Sequence, residues 1–417
     1  MKLSWLFLCF VSGTLLAQAT KTLRIENRLT EICNDLVVVI PREEFPKDVF
    51  SNVSEKALLV DFAGNLVPIQ FDDVNGDGVW DECAFIMDFL PLEVQELTIR
   101  IVSDSVFKRQ AIFSKRTNIH LAKSPLKDGN YQELQQETRP QDLLPQSRPM
   151  LYQFEGVGWE SDRVAFRSYF DSRNGKDIFG KCKPAIVLDS IGLPGHDYHD
   201  LSDWGMDILK VGSSLGAGAL ALQIGDSLYR LGETDVARFE TVYEGPVRSC
   251  LKLRYEGWRV GAQVLALTEW ITVEAGSYSY SSRIQVDGLK NPAELVTGIV
   301  NLKNKNKRKL VIKANKDWRY VLTLAPQSEL GDKLGMAILF PEKQYSSIQV
   351  APDSSSIKGD ITHTFLVKQK LDEKFSGEFY FYSFWQKSMP EFADQNFLLE
   401  WMNKEADKRM WRPIVKF

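Results

Sequence analysis

An alternation of apolar and polar side chains constrains the fold more than any other feature of the sequence. Residues 247–255 place Val, Ser, Leu, Leu and Tyr at every second position, mostly with charged side chains between them, and residues 96–101 repeat the alternation. Successive side chains of a strand point to opposite faces, so such a segment buries one face and exposes the other. Further runs lie at 35–40, 58–71, 310–313 and 377–382. The pattern predicts a mainly β chain built from antiparallel sandwiches.

The positions of these runs divide the chain into predicted domains. Strand signals over residues 20–107 predict an N-terminal β-sandwich. Residues 108–150 are polar and contain several Pro and Gly turn signals, which predict a linker or a surface crossing. Residues 151–417 predict a large antiparallel β-sandwich, and the apolar residues at helical spacing after Pro390 predict a C-terminal helix.

Residues 1–19 have the pattern of an export signal. Lys2 precedes an apolar run that ends at Leu16, and Ala17-Gln18-Ala19 matches a cleavage site. The run is shorter than the ~20 apolar residues of a membrane helix. We therefore expect a signal peptide, a periplasmic or secreted mature chain, and no membrane span.

Charge and cysteine spacing exclude several classes of protein. The net charge is -4, whereas a nucleic-acid-binding protein usually carries a basic stripe. The basic cluster at 303–309 predicts a solvated hairpin turn. Four cysteines follow the signal peptide without any CxxC pair, which argues against zinc and iron–sulfur sites. They are Cys33, Cys83, Cys182 and Cys250, and export leaves both disulfides and buried thiols open. No organic cofactor is expected.

An acidic loop in the N-terminal domain resembles a calcium-binding loop. Asp73, Asn75 and Asp77 occupy positions 1, 3 and 5, Gly78 follows at position 6, and Asp81 and Glu82 add two carboxylates. Calcium takes six to eight oxygen ligands, and this spacing can supply most of them. Position 12 is an alanine, so the loop is no EF-hand. The alternatives are a structural calcium site and a polar hairpin turn.

A second segment, residues 154–174, concentrates arginines and aromatic side chains. By strand parity, Arg163, Arg167, Tyr169, Asp171 and Arg173 share one face, opposite an apolar face. Guanidinium groups pair bidentately with carboxylate, sulfate or phosphate. The segment predicts a surface that binds an anionic sugar, and the alternative is an Arg–Asp ladder with a structural role.

The third segment is a loop with two of the four histidines of the chain. His196, Tyr198 and His199 follow a Pro-Gly turn, and Asp203 lies just beyond. Histidine suits proton transfer near neutral pH, so the loop is a candidate for acid–base chemistry. A polar loop hydrogen-bonded to itself is the alternative. His120 and His363 are interpreted as structural.

Together these segments resemble a family of unknown-function proteins from bacterial polysaccharide-utilisation clusters. The resemblance rests on residues 159–163, 177–181, 197–199 and 202–210, and the loop at 73–82 also fits. It covers nearly the whole mature chain and implies a supersandwich of the mutarotase-like kind for the large domain. One branch of the family resembles an ulvan oligosaccharide dehydratase. The resemblance thus implies an enzyme that removes water from a non-reducing-end uronic acid, acting on an acidic oligosaccharide.

Such an elimination assigns roles to the candidate residues. His199 or Tyr198 would take the C5 proton, and the other of the two, Asp203 or Glu160 would protonate the leaving hydroxyl. Arg163 or Arg173 would neutralise the substrate carboxylate. The remaining candidates for substrate binding are Trp159, Arg167, Tyr169, Trp204 and Lys210. A β-eliminating polysaccharide lyase, another sugar-modifying enzyme and a non-catalytic carbohydrate-binding protein stay open, as does the oligomeric state.

Overall fold

The structure is a computed structural model. It describes residues 21–141, 143–145, 149–290, 292–357 and 360–417. The predicted signal peptide at 1–19 lies outside the described residues. The described part is mainly β-strand in antiparallel sheets with a long helix near the C-terminus, which confirms the predicted fold class. No helix among the described residues is long and apolar enough to cross a membrane.

The N-terminal domain packs two small sheets against each other. Its strands are β1 (Lys21–Glu26), β2 (Cys33–Pro41), β3 (Glu55–Val60), β4 (Ile69–Asp72), β5 (Glu82–Phe89) and β6 (Val94–Ser103). One sheet contains β1, β6 and β3, and the other has the order β2-β5-β4. Alternate residues such as Leu23, Ile25 and Leu97 are buried in the core between them. Helix α1 (Asp104–Gln110) follows, with Ser103 as its N-cap.

The rest of the chain builds the large domain. Its strands, in chain order, are β7 (Thr117–His120), β8 (Ala122–Lys123), β9 (Gln132–Glu133), β10 (Gln136–Thr138), β11 (Gly156–Ser161), β12 (Val164–Tyr169), β13 (Lys176–Lys181), β14 (Gly205–Asp207), β15 (Ala221–Ile224), β16 (Ser227–Arg230), β17 (Val236–Tyr243), β18 (Arg248–Val260), β19 (Gln263–Glu274), β20 (Ser279–Asp287), β21 (Glu294–Val300), β22 (Leu310–Lys313), β23 (Trp318–Ala325), β24 (Leu334–Pro341), β25 (Tyr345–Val350), β26 (Thr364–Lys370) and β27 (Ser376–Trp385).

Three sheets enclose the main core of this domain. A nine-stranded sheet has the order β10-β17-β18-β19-β20-β27-β24-β23-β22. Two five-stranded sheets have the orders β14-β13-β12-β11-β7 and β16-β15-β21-β26-β25. Phe166, Leu251 and Phe365, one from each sheet, belong to the same buried cluster. The large sandwich therefore pairs one long sheet with two shorter ones.

The stretch predicted as a linker or a surface crossing contains, among its described residues, four short strands, β7 to β10. Within 108–150, β10 pairs with β17 at the edge of the nine-stranded sheet, and β7 pairs with β11. All four residues of β7 are buried. Periodicity does not reveal β7, because Asn118 and His120 are polar residues on a buried face and the strand therefore lacks an apolar–polar alternation.

The C-terminal region returns to both domains. Helix α2 (Gln395–Met410) is capped by Asp394 and buries Leu398 and Met402 beside β23 and β24. Strand β28 (Ile414–Lys416) then pairs with β1 and completes a four-stranded sheet in the N-terminal domain. Short 3-10 turns occupy Arg42–Glu44, Gln153–Glu155, Glu342–Gln344 and Pro390–Ala393. All four described cysteines are free thiols.

Candidate functional site

One face of the β7–β11–β12–β13–β14 sheet packs on the main core, and its other face carries polar side chains. His120 lies opposite Gly158, Gly158 opposite Arg167, and Arg167 opposite Asp177. The segment 182–204 covers this face with an apolar cluster of its own, to which Leu188 and Tyr198 belong along with Phe154 and Phe179. The candidate site is therefore built between this sheet and this covering segment.

Arg167 is the centre of a buried network. Its Nη2 donates to Asp177 and Asp207, at 2.7 Å each, and to the Tyr169 hydroxyl at 2.9 Å. Its Nη1 donates to the Tyr198 hydroxyl at 3.3 Å. The Tyr169 hydroxyl in turn donates to Asp177 at 2.7 Å. Tyr169, Asp177, Tyr198 and Asp207 all lie in the predicted site segments, and all four contact Arg167.

The buried position of this network favours protonated side chains. Burial, reinforced by the nearby Asp177 charge, raises the pKa of Asp207 from its usual 3.8 to about 8, although Arg167 opposes the shift. Burial likewise raises the pKa values of Tyr169 and Tyr198. At neutral pH the network therefore contains a neutral carboxyl and two neutral phenols.

A glycine allows Asp207 to reach the network. Gly205 has a φ of +139°, and a Cβ there would lie 1.8 Å from the carbonyl oxygen of Gly180. Only glycine tolerates both conditions without displacing the neighbouring strand. The pairing of β13 with β14, and with it the position of Asp207 beside Arg167, depends on this residue.

Two residues with left-handed backbone conformations lie at the entrance to β11. Phe154 and Glu155 have φ values of 39° and 67°. The Phe154 carbonyl accepts a hydrogen bond from Arg167 at 3.2 Å, and the Glu155 carboxylate pairs with Arg173. Strained conformations of non-glycine residues persist where surrounding contacts fix them, often at functional sites.

The surface end of the site is a histidine held by a carboxylate. His199 Nδ1 lies 2.9 Å from Asp197 Oδ1, and its side chain is 61% exposed. Its ring lies 4.3 Å from the ring of Tyr198, centroid to centroid. The Tyr198 carbonyl accepts a hydrogen bond from the Asp207 backbone N–H at 2.7 Å, which fixes this loop on β14. When Nδ1 donates to Asp197, Nε2 is left as a proton acceptor.

The arginines of the predicted anion-binding face have acidic partners within the protein. Arg167 pairs with Asp177 and also donates to Asp207, and Arg173 pairs with Asp171 and Glu155. Arg173 also lies 3.9 Å above the Tyr169 ring. These arginines form the structural Arg–Asp ladder that was the alternative interpretation.

Arg163 is separate from this ladder. It precedes β12, and it lies beside Tyr278, where its charge partly offsets the burial that raises the pKa of that phenol. It therefore does not contribute to an arginine cluster with Arg167 and Arg173.

Two other predicted substrate contacts are core residues. Trp159 is fully buried, with Phe166 and Tyr280 against its ring, so it has no face for a sugar. Glu160 is fully buried, pairs with Lys181 and accepts backbone N–H groups from the covering segment. Its role is to fasten that segment to the sheet, and it cannot serve as an accessible acid.

The remaining predicted residues lie at the surface around β14. Asp203 pairs with the exposed Lys183, whose hydrogen bond lowers the pKa of this carboxyl, so Asp203 is ionised and a poor proton donor. Trp204 is half-buried against the apolar cluster of the covering segment. Lys210 is exposed, three residues beyond Asp207.

A His–Asp pair at the edge of the same sheet face was missed. His120 Nε2 lies 3.0 Å from Gln153 Oε1, and its Nδ1 lies 3.4 Å from Asp189. Burial lowers the pKa of His120, but Asp189 and Gln153 outweigh it and the net shift is upward. The hydrogen bond with His120 lowers the pKa of Asp189 to about 2. The sequence signal was Asn118 and His120 alternating in a short polar strand.

The acidic loop of the N-terminal domain is held by its own backbone. Asp73 accepts N–H groups from Gly76, Asp77 and Gly78. Asn75, Asp77 and Asp81 accept others, and Glu82 turns away to Arg248. In the described part of the chain, no three His, Cys, Asp or Glu side chains are grouped to hold a metal. Calcium binding by Asp73, Asn75, Asp77, Asp81 and Glu82 stays a prediction.

Fold and site together define a mainly β protein in which Asp177 and Asp207, the acid cluster, hold Arg167 beside residues 196–204, the histidine loop. A family described as "Domain of unknown function (DUF4861)" matches residues 25–414, and the chain belongs to this family. The predicted membership of a family of unknown function is thereby confirmed, and its dehydratase branch stays a prediction.

Three individual proteins are similar to this chain, and none of them assigns an activity to it. "Uncharacterized protein P7" of Formosa agariphila is 28% identical over 204 residues, which cover 44% of this chain and 49% of that protein. The chain therefore spans about half of the curated relative. An alpha-mannosidase from Enterococcus faecalis V583 aligns with a TM-score of 0.48 at 7% identity, over 95% of this chain and 46% of its own. A glycosyl hydrolase family 38 protein from Enterococcus faecalis aligns at 0.46 and 8% identity, over 95% and 47%. Any activity must be argued from the residues.

Proposed function

We propose that the protein is an exported carbohydrate-active lyase that removes water from a non-reducing-end uronic acid of an oligosaccharide. The observation that supports this most is the exposed His199–Asp197 pair, whose imidazole contacts the ring of Tyr198, while the Tyr198 hydroxyl belongs to the buried Arg167 network. A general base and a neutral proton donor are thus adjacent in sequence and in space. The resemblance of residues 197–199 and 202–210 to the family with a dehydratase branch supports the same reaction.

His199 is the proposed base. Its Nε2 takes the C5 proton of the uronate, and the electron pair forms the C4–C5 double bond. Asp197 stabilises the imidazolium that results, because this carboxylate accepts the Nδ1 hydrogen.

Tyr198 is the proposed acid. The buried phenol stays protonated at neutral pH, since its pKa is raised. It gives its proton to the C4 hydroxyl, which leaves as water. Tyr198 is buried, so the proposed proton transfer requires a movement of the loop that carries both Tyr198 and His199 to expose this hydroxyl to the substrate.

Lys210 replaces the arginines as the proposed partner of the substrate carboxylate. It is exposed and follows β14, close in sequence to the acid cluster, whereas Arg167 and Arg173 are already neutralised. A cation at the carboxylate is needed because it stabilises the charge that develops when the C5 proton leaves.

The test is an assay of the purified protein on saturated uronic acid oligosaccharides. Absorbance of the new double bond and product mass are followed together. We expect a rise in absorbance and the loss of one water without chain shortening. His199→Gln is expected to lower kcat by about 10²–10⁴-fold, and His196→Gln, an exposed neighbour, serves as the matched control. Equal activity of His199→Gln and wild type would refute the assignment.

Two alternatives are separated by the same assay. A β-eliminating polysaccharide lyase would raise the absorbance but shorten the chain. A non-catalytic carbohydrate-binding protein would bind the oligosaccharide but give no product.

A further inference from the structure

A cleft of the large domain lies away from His199, along the hairpin before β22. It is a cleft of about 640 Å³ between residues 302–308 and residues 324–326. Lys303, Lys305 and Arg308 line it, and no acidic side chain does. Leu324 and Pro326 supply an apolar wall. A surface with this composition attracts anions.

The cations of this cleft are only partly paired. Lys305 and Arg308 are exposed, and in the described part of the chain no carboxylate lies within ion-pair distance of either. Lys303 has one partner, Glu329, at 3.3 Å. A cation without a partner contributes its full attraction to an incoming anion, although salt screens it at an exposed site.

The hairpin that carries these cations is ordered by its own hydrogen bonds. Asn304 donates to the Arg308 carbonyl at 3.0 Å and accepts the Arg308 N–H at 3.3 Å. The Lys303 N–H donates to the Gln327 side chain at 3.1 Å, which attaches the hairpin to the opposite wall. A preformed site loses less entropy when it binds a ligand.

The segment that follows Asp207 is hydrogen-bonded to the segment beside the cleft. Leu209 forms an isolated bridge with Ser328, and the Glu329 N–H donates to Ile208 at 2.9 Å. Lys303 Nζ donates to the Ser328 carbonyl at 2.8 Å. Ser328 and Glu329 thus link residues 208 and 209, just after Asp207, to Lys303 at the cleft.

We propose that this cleft binds the acidic sugar residues of an oligosaccharide beyond its reacting end. Lys305 and Arg308 pair with carboxylate or sulfate groups, and the exposed Asn306 amide is suited to a hydroxyl group. A nucleic acid is disfavoured because no aromatic side chain lines the cleft for base stacking and the chain is acidic overall. The choice of a saccharide rests on the proposed function.

The test measures binding of a fluorescent oligogalacturonate by anisotropy, with and without substitutions. Lys305→Gln/Arg308→Gln is expected to weaken binding about tenfold at low salt. Lys47→Gln/Arg100→Gln removes the same charge from two exposed sites of the N-terminal domain and is expected to leave binding unchanged. Both pairs are exposed, so both variants are expected to keep the wild-type Tm.

Further probes separate the possible outcomes. A neutral maltooligosaccharide is expected to bind at least tenfold more weakly, and high salt is expected to weaken binding of the acidic probe. Equal affinities of the two double variants, or equal affinity for single-stranded DNA, would overturn the proposal. If the wild-type protein dehydrates no uronate but Lys305 and Arg308 still govern binding, the proposed function fails and the cleft assignment stands. If the wild-type protein dehydrates uronates but Lys305 and Arg308 do not affect binding, the proposed function stands and the cleft assignment fails.

Discussion

Asp207→Asn tests whether the acid cluster beneath the histidine loop is protonated. Asp207 has a pKa of about 8 in the folded chain and about 3.8 when unfolded. Between these values the folded state holds a proton that the unfolded state has released. A carboxyl pKa that is raised on folding therefore lowers stability as pH rises through this window.

The size of the effect follows from this window. Each pH unit between 5 and 7 costs wild type a little over 1 kcal/mol, or roughly 3 kcal/mol over the range. Asparagine binds no proton, so Asp207→Asn escapes this loss. Asp207 is protonated in the folded state across the range, so its hydrogen bond with Arg167 contributes nearly the same at each pH. The difference in unfolding free energy is expected to move by roughly 3 kcal/mol in favour of the variant.

Calorimetry at pH 5, 6 and 7 measures this directly. With an unfolding entropy of about 2.1 cal/mol/K per residue, the shift corresponds to about 3 °C in the Tm difference. Asp203→Asn is the control, because Asp203 is exposed and its pKa is already lowered. Its Tm difference from wild type is expected to stay flat. A flat difference for Asp207→Asn as well would show that Asp207 is ionised in the folded protein and would refute the reasoning.

Three further predictions concern other regions. Trp159→Ala is expected to lower the unfolding free energy by about 3–5 kcal/mol in urea titrations, since the ring is fully buried; a loss of sugar affinity without a loss of stability would contradict this. The stability that His120 contributes through its raised pKa is expected below its usual value of 6.5 and to disappear as pH rises above it, so His120→Gln should cost more at pH 5 than at pH 8; equal costs would contradict the pairing with Asp189. Calcium is expected to raise the Tm relative to EDTA, and Asp73→Ala/Asp77→Ala to abolish the rise; an unchanged wild-type Tm would leave the loop held by its backbone hydrogen bonds alone.

The sequence predicted the elements that follow simple periodicity. Apolar alternation identified the strands around Leu97 and Leu251, and helical spacing identified α2. Parity also placed Val164 and Phe166 in the core and Arg167 on the opposite face. Strand β7 was not predicted, because its second face, with Asn118 and His120, is both buried and polar.

The sequence could not predict which charges neutralise one another. Arg167 meets Asp177 from the next strand, 10 residues away, and Asp207 from a third strand, 40 residues away. These contacts depend on the register between strands and on the glycine at 205, and no local pattern encodes either. The same limit explains Glu160, whose partner Lys181 lies 21 residues away in the sequence.

The pairing of β28 with β1 has a consequence for how the chain folds during synthesis. The first strand of the N-terminal domain meets its outer neighbour only when residues 414–416 have been made, and Phe417 then packs on Phe45. Until that moment β1 is an open sheet edge, which invites pairing with other chains. A strand that lies about 390 residues further along the chain must therefore be in place before β1 is protected from pairing with other molecules.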